Sequence, residues 1–371
     1  MSRSIEIIKL LAKETLSGDE IDIIWTPIAT NQHRSVIHGV YSIVGQLPGS
    51  PPLLRPEECN NFFEKIRNIP HSQLDPQAVA LMRNFTAPLC IAQGYGDVAQ
   101  RVGDYLWELL QDETEVDSVV AEDAYRALNY LTDRSVLSNA ACDALLNRCF
   151  ENLMKGTSVP YSLQFLRLLL GKARANIDNA KVALLSRLFY EDIVRYKIVA
   201  RKAWNAARLE SKDASSLDFK STIVVGKHSH ATHFRTRLEF LSTLHTLGFA
   251  IAQNEAELDT LWQEFIIDPF LPDEREDALQ AFVTLLENES FVARIYYEKL
   301  SCLDTRQITE AAFAFIKQFY HRLNTPDNSN GVREIVDDPV GIDLLWDVAL
   351  HASNDAVGRT AIRFLVRVYA E

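Results

Sequence analysis

Glycine and proline are scarce in this chain, 14 and 13 among 371 residues. That scarcity speaks against an all-β fold, which needs a tight turn every few residues. Cysteine is scarcer still. Cys59, Cys90, Cys142, Cys149 and Cys302 are scattered, odd in number and without a C-x-x-C pair, which excludes a disulfide framework and reads as buried thiols of a reducing compartment. Long apolar runs are also missing: the longest covers a handful of residues, against the ~20 that span a bilayer. The N-terminal MSRSIEIIKLLAKETL is amphipathic, with no continuous apolar core and no small-residue cleavage site. It reads as a first helix and not as an export signal, and Glu6 and Glu14 argue against a transit peptide. A soluble intracellular protein is expected, in the cytoplasm first and the nucleus second.

The usual signatures of catalysis are absent as well. The chain contains no phosphate-binding loop, no G-x-G-x-x-G after a strand, no G-x-S-x-G elbow and no H-E-x-x-H. GYGD at 94–97 is no substitute for any of them. Cys90 precedes that turn but ends an apolar helical stretch (Val79, Leu81, Met82, Leu89), so burial is expected. Cys142 and Cys149, seven apart, share one helical face and read as core packing. The acidic run QDETEVDSVVAED (111–123) reads as a solvated linker before a helix starting near 119. Neither a cofactor nor a small-molecule substrate is implied.

Charge narrows the partners. Lys and Arg total 38 against 50 Asp and Glu, a formal net charge of −12, so the surface as a whole repels nucleic acid. One stretch runs the other way: between 172 and 213 lie Lys172, Arg174, Lys181, Arg187, Arg195, Lys197, Arg201, Lys202, Arg208 and Lys212. On a helix from about 179 to 208 they decorate the face opposite Leu185, Leu188, Phe189 and Val199. A charge run is most simply a solvated face. The functional alternative is a docking surface for an acidic protein, centred on Arg195, Lys197, Arg201, Lys202 and Arg208. Nucleic acid is not expected there, because no aromatics interleave with the charges.

Three histidines crowd GKHSHATHF: His228, His230 and His233. Zinc would need their rings brought to one point and a further Cys, Asp or Glu to complete a tetrahedron. No such ligand stands nearby in sequence. The simpler expectation is that Ser229 or Thr232 caps a helix opening near 231, with His233 on its first turn beside Arg235 and Arg237.

What the chain has in abundance is helical periodicity. Leu279, Phe282, Val283 and Leu286 repeat at i, i+3, i+4, i+7; so do Ile342, Leu345, Trp346 and Ala349. Ile308, Ala312, Phe315 and Phe319 form another stripe, and Val357, Ala361, Phe364, Leu365 and Val368 run over three turns. Ser17 with Glu20 makes a capping box. Asp75-Pro76, Val159-Pro160, Leu271-Pro272 and Asp338-Pro339 place proline where a first turn can begin, and Ser353-Asn354-Asp355 offers capping oxygens to the last helix. Roughly sixteen to eighteen helices follow from these signals, many joined by short links. Only Ser221–Val225 is β-prone.

Interruptions at 46–56, 210–229 and 324–338 are expected to be exposed loops. A chain this long exceeds the ~250–300 residues at which one core stops growing. From about 255 onward the helices read as pairs spaced about 30–45 residues apart, the range of helical solenoids. The expected architecture is therefore all-α: a single elongated armadillo/HEAT-like solenoid over 1–371, with sub-blocks 1–208 and 230–371 on either side of the 210–229 loop.

The closing stretch GIDLLWDVALHASNDAVGRTAIRFLVRVYAE (341–371) resembles the helical-repeat region of the very large fat-facets-type ubiquitin-specific proteases. HFRTRLEFLSTL (233–244) and LDTLWQEFIIDPFLPDEREDALQAFVTLL (258–286) are similar to elements of the same region. The resemblance is best over 226–371, extends to PYSLQFLRLLL (160–170) and is undetectable before about 130. It implies a non-catalytic part of a thiol-dependent deubiquitinase. The family's protease domain carries a cysteine box of the G-N-T-C-Y type and a histidine box containing G-H-Y, and neither occurs here. What the resemblance implies is a scaffold that binds ubiquitinated substrate, adaptor or ubiquitin and positions a protease lying elsewhere. A free-standing armadillo-like adaptor is the competing expectation.

Overall fold

A computed structural model describes residues 16–30, 33–45, 55–89, 96–133, 137–173, 179–210, 218–249, 255–285, 299–300, 303–324 and 339–370, together with Ile295. The expected first helix, Cys90, Cys302, and most of the interruptions at 46–56 and 324–338 lie outside the described residues.

The described residues form fifteen α-helices: α1 (Gly18–Ala29), α2 (Arg34–Val44), α3 (Pro56–Arg67), α4 (Pro76–Leu89), α5 (Gly96–Leu109), α6 (Ser118–Asp133), α7 (Asn139–Lys155), α8 (Val159–Ala173), α9 (Asn179–Glu210), α10 (His230–Thr246), α11 (Glu255–Leu261), α12 (Pro272–Leu285), α13 (Glu310–Asn324), α14 (Ile342–His351) and α15 (Asp355–Ala370). A π-helical turn, Trp262–Ile267, continues α11. One hairpin, β1 (Ile223–Val225) antiparallel to β2 (His228–Ser229), is the only sheet among them.

The starts follow the local chemistry. Ser17 and Glu20 exchange hydrogen bonds, the Glu20 carboxylate accepting from the Ser17 backbone N–H at 2.7 Å and the Ser17 hydroxyl from the Glu20 N–H at 3.4 Å. Proline opens α3, α4 and α12 and sits second in α8, where an N–H would have no intrahelical partner. Glu274, buried in the first turn of α12, reaches back to the N–H groups of Phe270 and Leu271. Two expectations are corrected here. Pro339 does not begin a helix; α14 starts three residues later, behind the left-handed Gly341. Trp346 is not on its buried stripe, which is Leu344, Leu345 and Val348.

The chain divides into two compact units, one of Met1–Ile177 with Val199–His233, the other of Asp178–Ile198 with Phe234–Glu371. In the first unit the extensive helix contacts join α1 to α2 and α3, α2 to α4, α3 to α4 and α5, α4 to α5 and α6, α5 to α6, α6 to α8, and α7 to α8. In the second they join α12 to the π-turn and to α13, α13 to α15, and α14 to α15. Every such pair is adjacent or next-but-one in sequence. That is the contact rule of a helical repeat, in which each element buries its apolar face on its neighbours instead of on one central core. The buried set matches: Phe62, Phe63 and Ile66 on α3, Val102 and Leu106 on α5, Leu128 and Leu131 on α6, and Phe315 and Phe319 on α13. The fold is all-helical and armadillo/HEAT-like.

Candidate interaction surface and its buried supports

Helix α9 carries the basic residues singled out by charge, and burial separates them. Arg201, Lys202 and Arg208 are exposed, and Arg195 is half-buried. Lys197 is not at the surface. Its side chain is 8% exposed, and its ammonium lies 2.9 Å from the Glu264 carboxylate and 3.4 Å from that of Asp268. It also donates to the backbone carbonyls of both residues. Those carbonyls end the π-turn, where no further helical N–H can reach them, and a cation satisfies both the dipole and the lone pairs. Arg275 supports the same end, its Nε donating to the Ile266 carbonyl at 2.7 Å. Lys197 therefore closes a helix terminus inside the second unit.

A second basic residue is committed still more deeply. Arg237, on α10, lies 2.8 Å from the Asp192 carboxylate of α9, with side chains 3% and 2% exposed. Its Nε donates to the same oxygen at 3.0 Å, and its guanidinium stacks over the Tyr196 ring at 4.0 Å. Burial pushes the Asp192 carboxyl up and the guanidinium pulls it back. Neither charge is available to a partner.

The three histidines each find a different partner, although the His228 and His233 rings lie 6.0 Å apart. His228 packs edge-on against Tyr161 at 4.4 Å between ring centres, the His230 ring lies tilted over Phe219 at 4.2 Å, and the His233 ring meets the Val225 carbonyl at 3.2 Å. Among the described residues no group of His, Cys, Asp or Glu could hold a metal ion. Ser229 caps α10, its hydroxyl accepting from the Thr232 N–H at 3.3 Å.

The part of the 210–229 interruption that the structure describes is a clasp, and not an exposed loop. Phe219 is buried between Trp204 and His230. The hairpin tip, Gly226-Lys227-His228, enters the α5–α6 connection. Lys227 donates to the carbonyls of Leu109 and Gln111 at 2.9 and 2.6 Å. Burial pushes its pKa down to about 8, with Asp112 opposing. His228 is pushed down to about 4, by burial foremost, and its Nε2 has no hydrogen-bond partner among the described residues. Asp112 is thus no member of a solvated linker: its carboxylate accepts from the Ser158 N–H at 2.5 Å, and its own N–H donates to the Ser158 hydroxyl at 2.8 Å. Those reciprocal bonds hold Ser158 at φ +48°, a left-handed geometry that costs a non-glycine residue free energy. Composition hid this joint. The available signal was Phe219 followed by a β-prone run and a glycine.

Three thiols lie among the described residues. Cys149 is fully buried, and burial raises the pKa of Cys59 to about 12 and that of Cys142 to a lesser extent. No described helix is long and apolar enough to cross a membrane.

Comparison with known proteins agrees with a helical-repeat arrangement. The family model described as the UBP24/USP9X/USP9Y ARM repeat matches residues 2–324. Human ubiquitin carboxyl-terminal hydrolase 24 is 21% identical over 398 aligned positions, which take in 97% of this chain and 15% of that protein. Drosophila ubiquitin carboxyl-terminal hydrolase puf is 23% identical over 295, covering 74% of this chain and 7% of its own length. This chain therefore spans only a small fraction of the relatives it matches, and the fraction is a repeat region without catalytic machinery. With the family model matched from residue 2 to residue 324, this chain belongs to the UBP24/USP9X/USP9Y ARM-repeat family.

Proposed function

We propose that this chain is a protein-binding scaffold of a larger ubiquitin carboxyl-terminal hydrolase, holding a ubiquitinated substrate, an adaptor or ubiquitin while a protease domain outside the chain performs the chemistry. The observation that carries the reading is the ARM-repeat match over residues 2–324 in relatives several times longer. Armadillo-type repeats generally serve protein–protein contacts, because stacked helices present continuous grooves and ridges. Within the chain, the exposed Arg201, Lys202 and Arg208 are proposed as part of the contact with an acidic protein surface. Arg195 stands at their edge, and Lys197 supports α11 from inside. The cytoplasm, and secondarily the nucleus, is the proposed place of action.

The test uses the parent hydrolase with these residues deleted. Turnover of ubiquitin-amidomethylcoumarin is expected to persist, because that probe needs only the protease domain, while processing of a ubiquitinated protein falls. Equal loss of both, or no loss of either, would overturn the scaffold reading. Arg201→Glu with Lys202→Glu and Arg208→Glu is expected to reproduce the selective loss at low ionic strength. Unchanged processing by that variant removes the three residues from the contact.

A further inference from the structure

Among the described residues three lysines close helix ends from far along the chain, and one of them does it differently. Lys172, on α8, donates to the last carbonyls of α6, those of Thr132 and Asp133. The Asp133 carboxylate stands 3.9 Å from its ammonium. Lys197 takes the carbonyls at the end of the π-turn, with the Glu264 and Asp268 carboxylates at 2.9 and 3.4 Å. Lys227, at the hairpin tip, takes the Leu109 and Gln111 carbonyls at 2.9 and 2.6 Å, yet it enters no ion pair among the described residues. Asp112 acts on it only from farther away, and that carboxylate already accepts from the Ser158 N–H.

That difference sets the chemistry of the nitrogen. A carboxylate holds the proton of an ammonium by direct attraction, whereas a carbonyl only accepts a hydrogen bond. An ammonium has three N–H groups and a neutral amine has two. Two carbonyls are therefore served as well by the amine, which adds a lone pair directed away from both. Partial burial favours the same form. The titratable groups packed about the tip are Asp112 from the α5–α6 connection, His228 from the hairpin and Tyr161 from α8; Asp112 opposes loss of the proton. Solvent reaches the tip, since Gly226 is exposed and Lys227 only half-buried.

We infer that Lys227 is a modification site, its Nζ acylated by a small acyl thioester, and that acylation opens the clasp. The neutral nitrogen attacks the thioester carbonyl, and a C–N bond forms as the C–S bond breaks. The electron pair leaves on sulfur, and the proton shed by nitrogen ends on the thiolate. The product does not fit the closed position. An amide nitrogen keeps one N–H and no charge, so one of the two carbonyls loses its donor. The tip is also closely seated, because a single carbon added at Gly226 would lie 1.9 Å from an Asp112 oxygen. Opening bares the Tyr161 ring, which His228 covers edge-on at 4.4 Å. The inference does not rest on the scaffold reading, and its test uses neither a binding partner nor a protease.

The probe is N,S-diacetylcysteamine, a small acetyl thioester, incubated with the purified chain across neutral to alkaline pH. Peptide mapping by mass spectrometry follows acetylation at Lys227 and, for reference, at the exposed Lys155 and Lys202. Near neutral pH Lys227 is expected to react several-fold faster than either. Its rate should level off well below the ~10.4 of a free lysine side chain. Hydrogen exchange then reads the clasp: the acetylated protein is expected to lose protection in the hairpin, where the His230 and Ala231 N–H groups bond across to Thr222 and Lys220. Lys227→Gln, which carries no charge, should show the same exchange without reagent. Lys227→Arg, which keeps a cation and gives no lysine amide, should hold wild-type exchange with the thioester present. Acetylation of Lys227 no faster than that of Lys155 and Lys202 overturns the modification site. Acetylation that leaves exchange in the hairpin unchanged overturns the opening.

Discussion

Removing one partner of the Asp192–Arg237 pair should damage the second unit more than any surface change. Both side chains are almost fully buried and 2.8 Å apart, and the guanidinium covers the Tyr196 ring. Asp192→Ala takes from the buried arginine the carboxylate 2.8 Å away, and Arg237→Ala takes from the buried carboxylate its guanidinium partner, both in a medium of low polarity. Breaking a buried pair from one side costs about 3–5 kcal/mol, most of it the desolvation of the stranded charge. At ~2–4 °C per kcal/mol for a unit of this size, the melting temperature falls by roughly 6–20 °C. Replacing both residues by apolar ones of similar volume, Asp192→Leu with Arg237→Met, removes both charges at once and is expected to recover most of that loss. The assay is thermal unfolding by circular dichroism and calorimetry for the wild type, each single variant and the double variant. Single variants that melt within about 1 °C of the wild type would refute the reasoning, because a surface-like value means that water already reaches the pair.

The clasp supplies two more predictions. Gly226 sits at φ +62°, and a Cβ there would lie 1.9 Å from the Asp112 carboxylate oxygen, so Gly226→Ala should cost about 2–3 kcal/mol in a urea melt, the left-handed penalty plus the Ser158 bond lost when Asp112 moves. His228 is half-buried, with its Nε2 shielded from water and its pKa pushed down to about 4, below its unfolded value of ~6.5. Between those values the unfolded chain binds more protons, so stability is fully present above pH 6.5 and drains away as pH falls toward 4; His228→Gln is expected to flatten that part of the stability–pH curve, and an unchanged slope would show that other groups set it.

Sequence and structure divided the work unevenly. Helix positions were written locally: the capping box at Ser17, the prolines opening α4 and α12, and the stripes of α13 and α15 all depend on residues within a few turns of one another, and so did the Ser229 cap. Pro339 and Trp346 show the limit of that logic, because the start of α14 depends on the left-handed Gly341, and its buried side depends on where α15 lies.

Charge misled for a related reason. Lys197 looks like a surface cation in a basic stretch and Arg237 like one beside Arg235, but their partners, Glu264, Asp268 and Asp192, are 45 to 71 residues away in the chain, and no local pattern announces a pairing across that separation. The hairpin tip meets the α5–α6 connection over a wider gap still, 116 to 118 residues, which turned the described part of a polar interruption into a joint. By itself the sequence determined that this protein is helical, repetitive and without catalytic motifs, since those properties rest on spacing and composition. Which charges face water, and which close a helix end, only the packing decided, because burial is a property of neighbours and not of the residue.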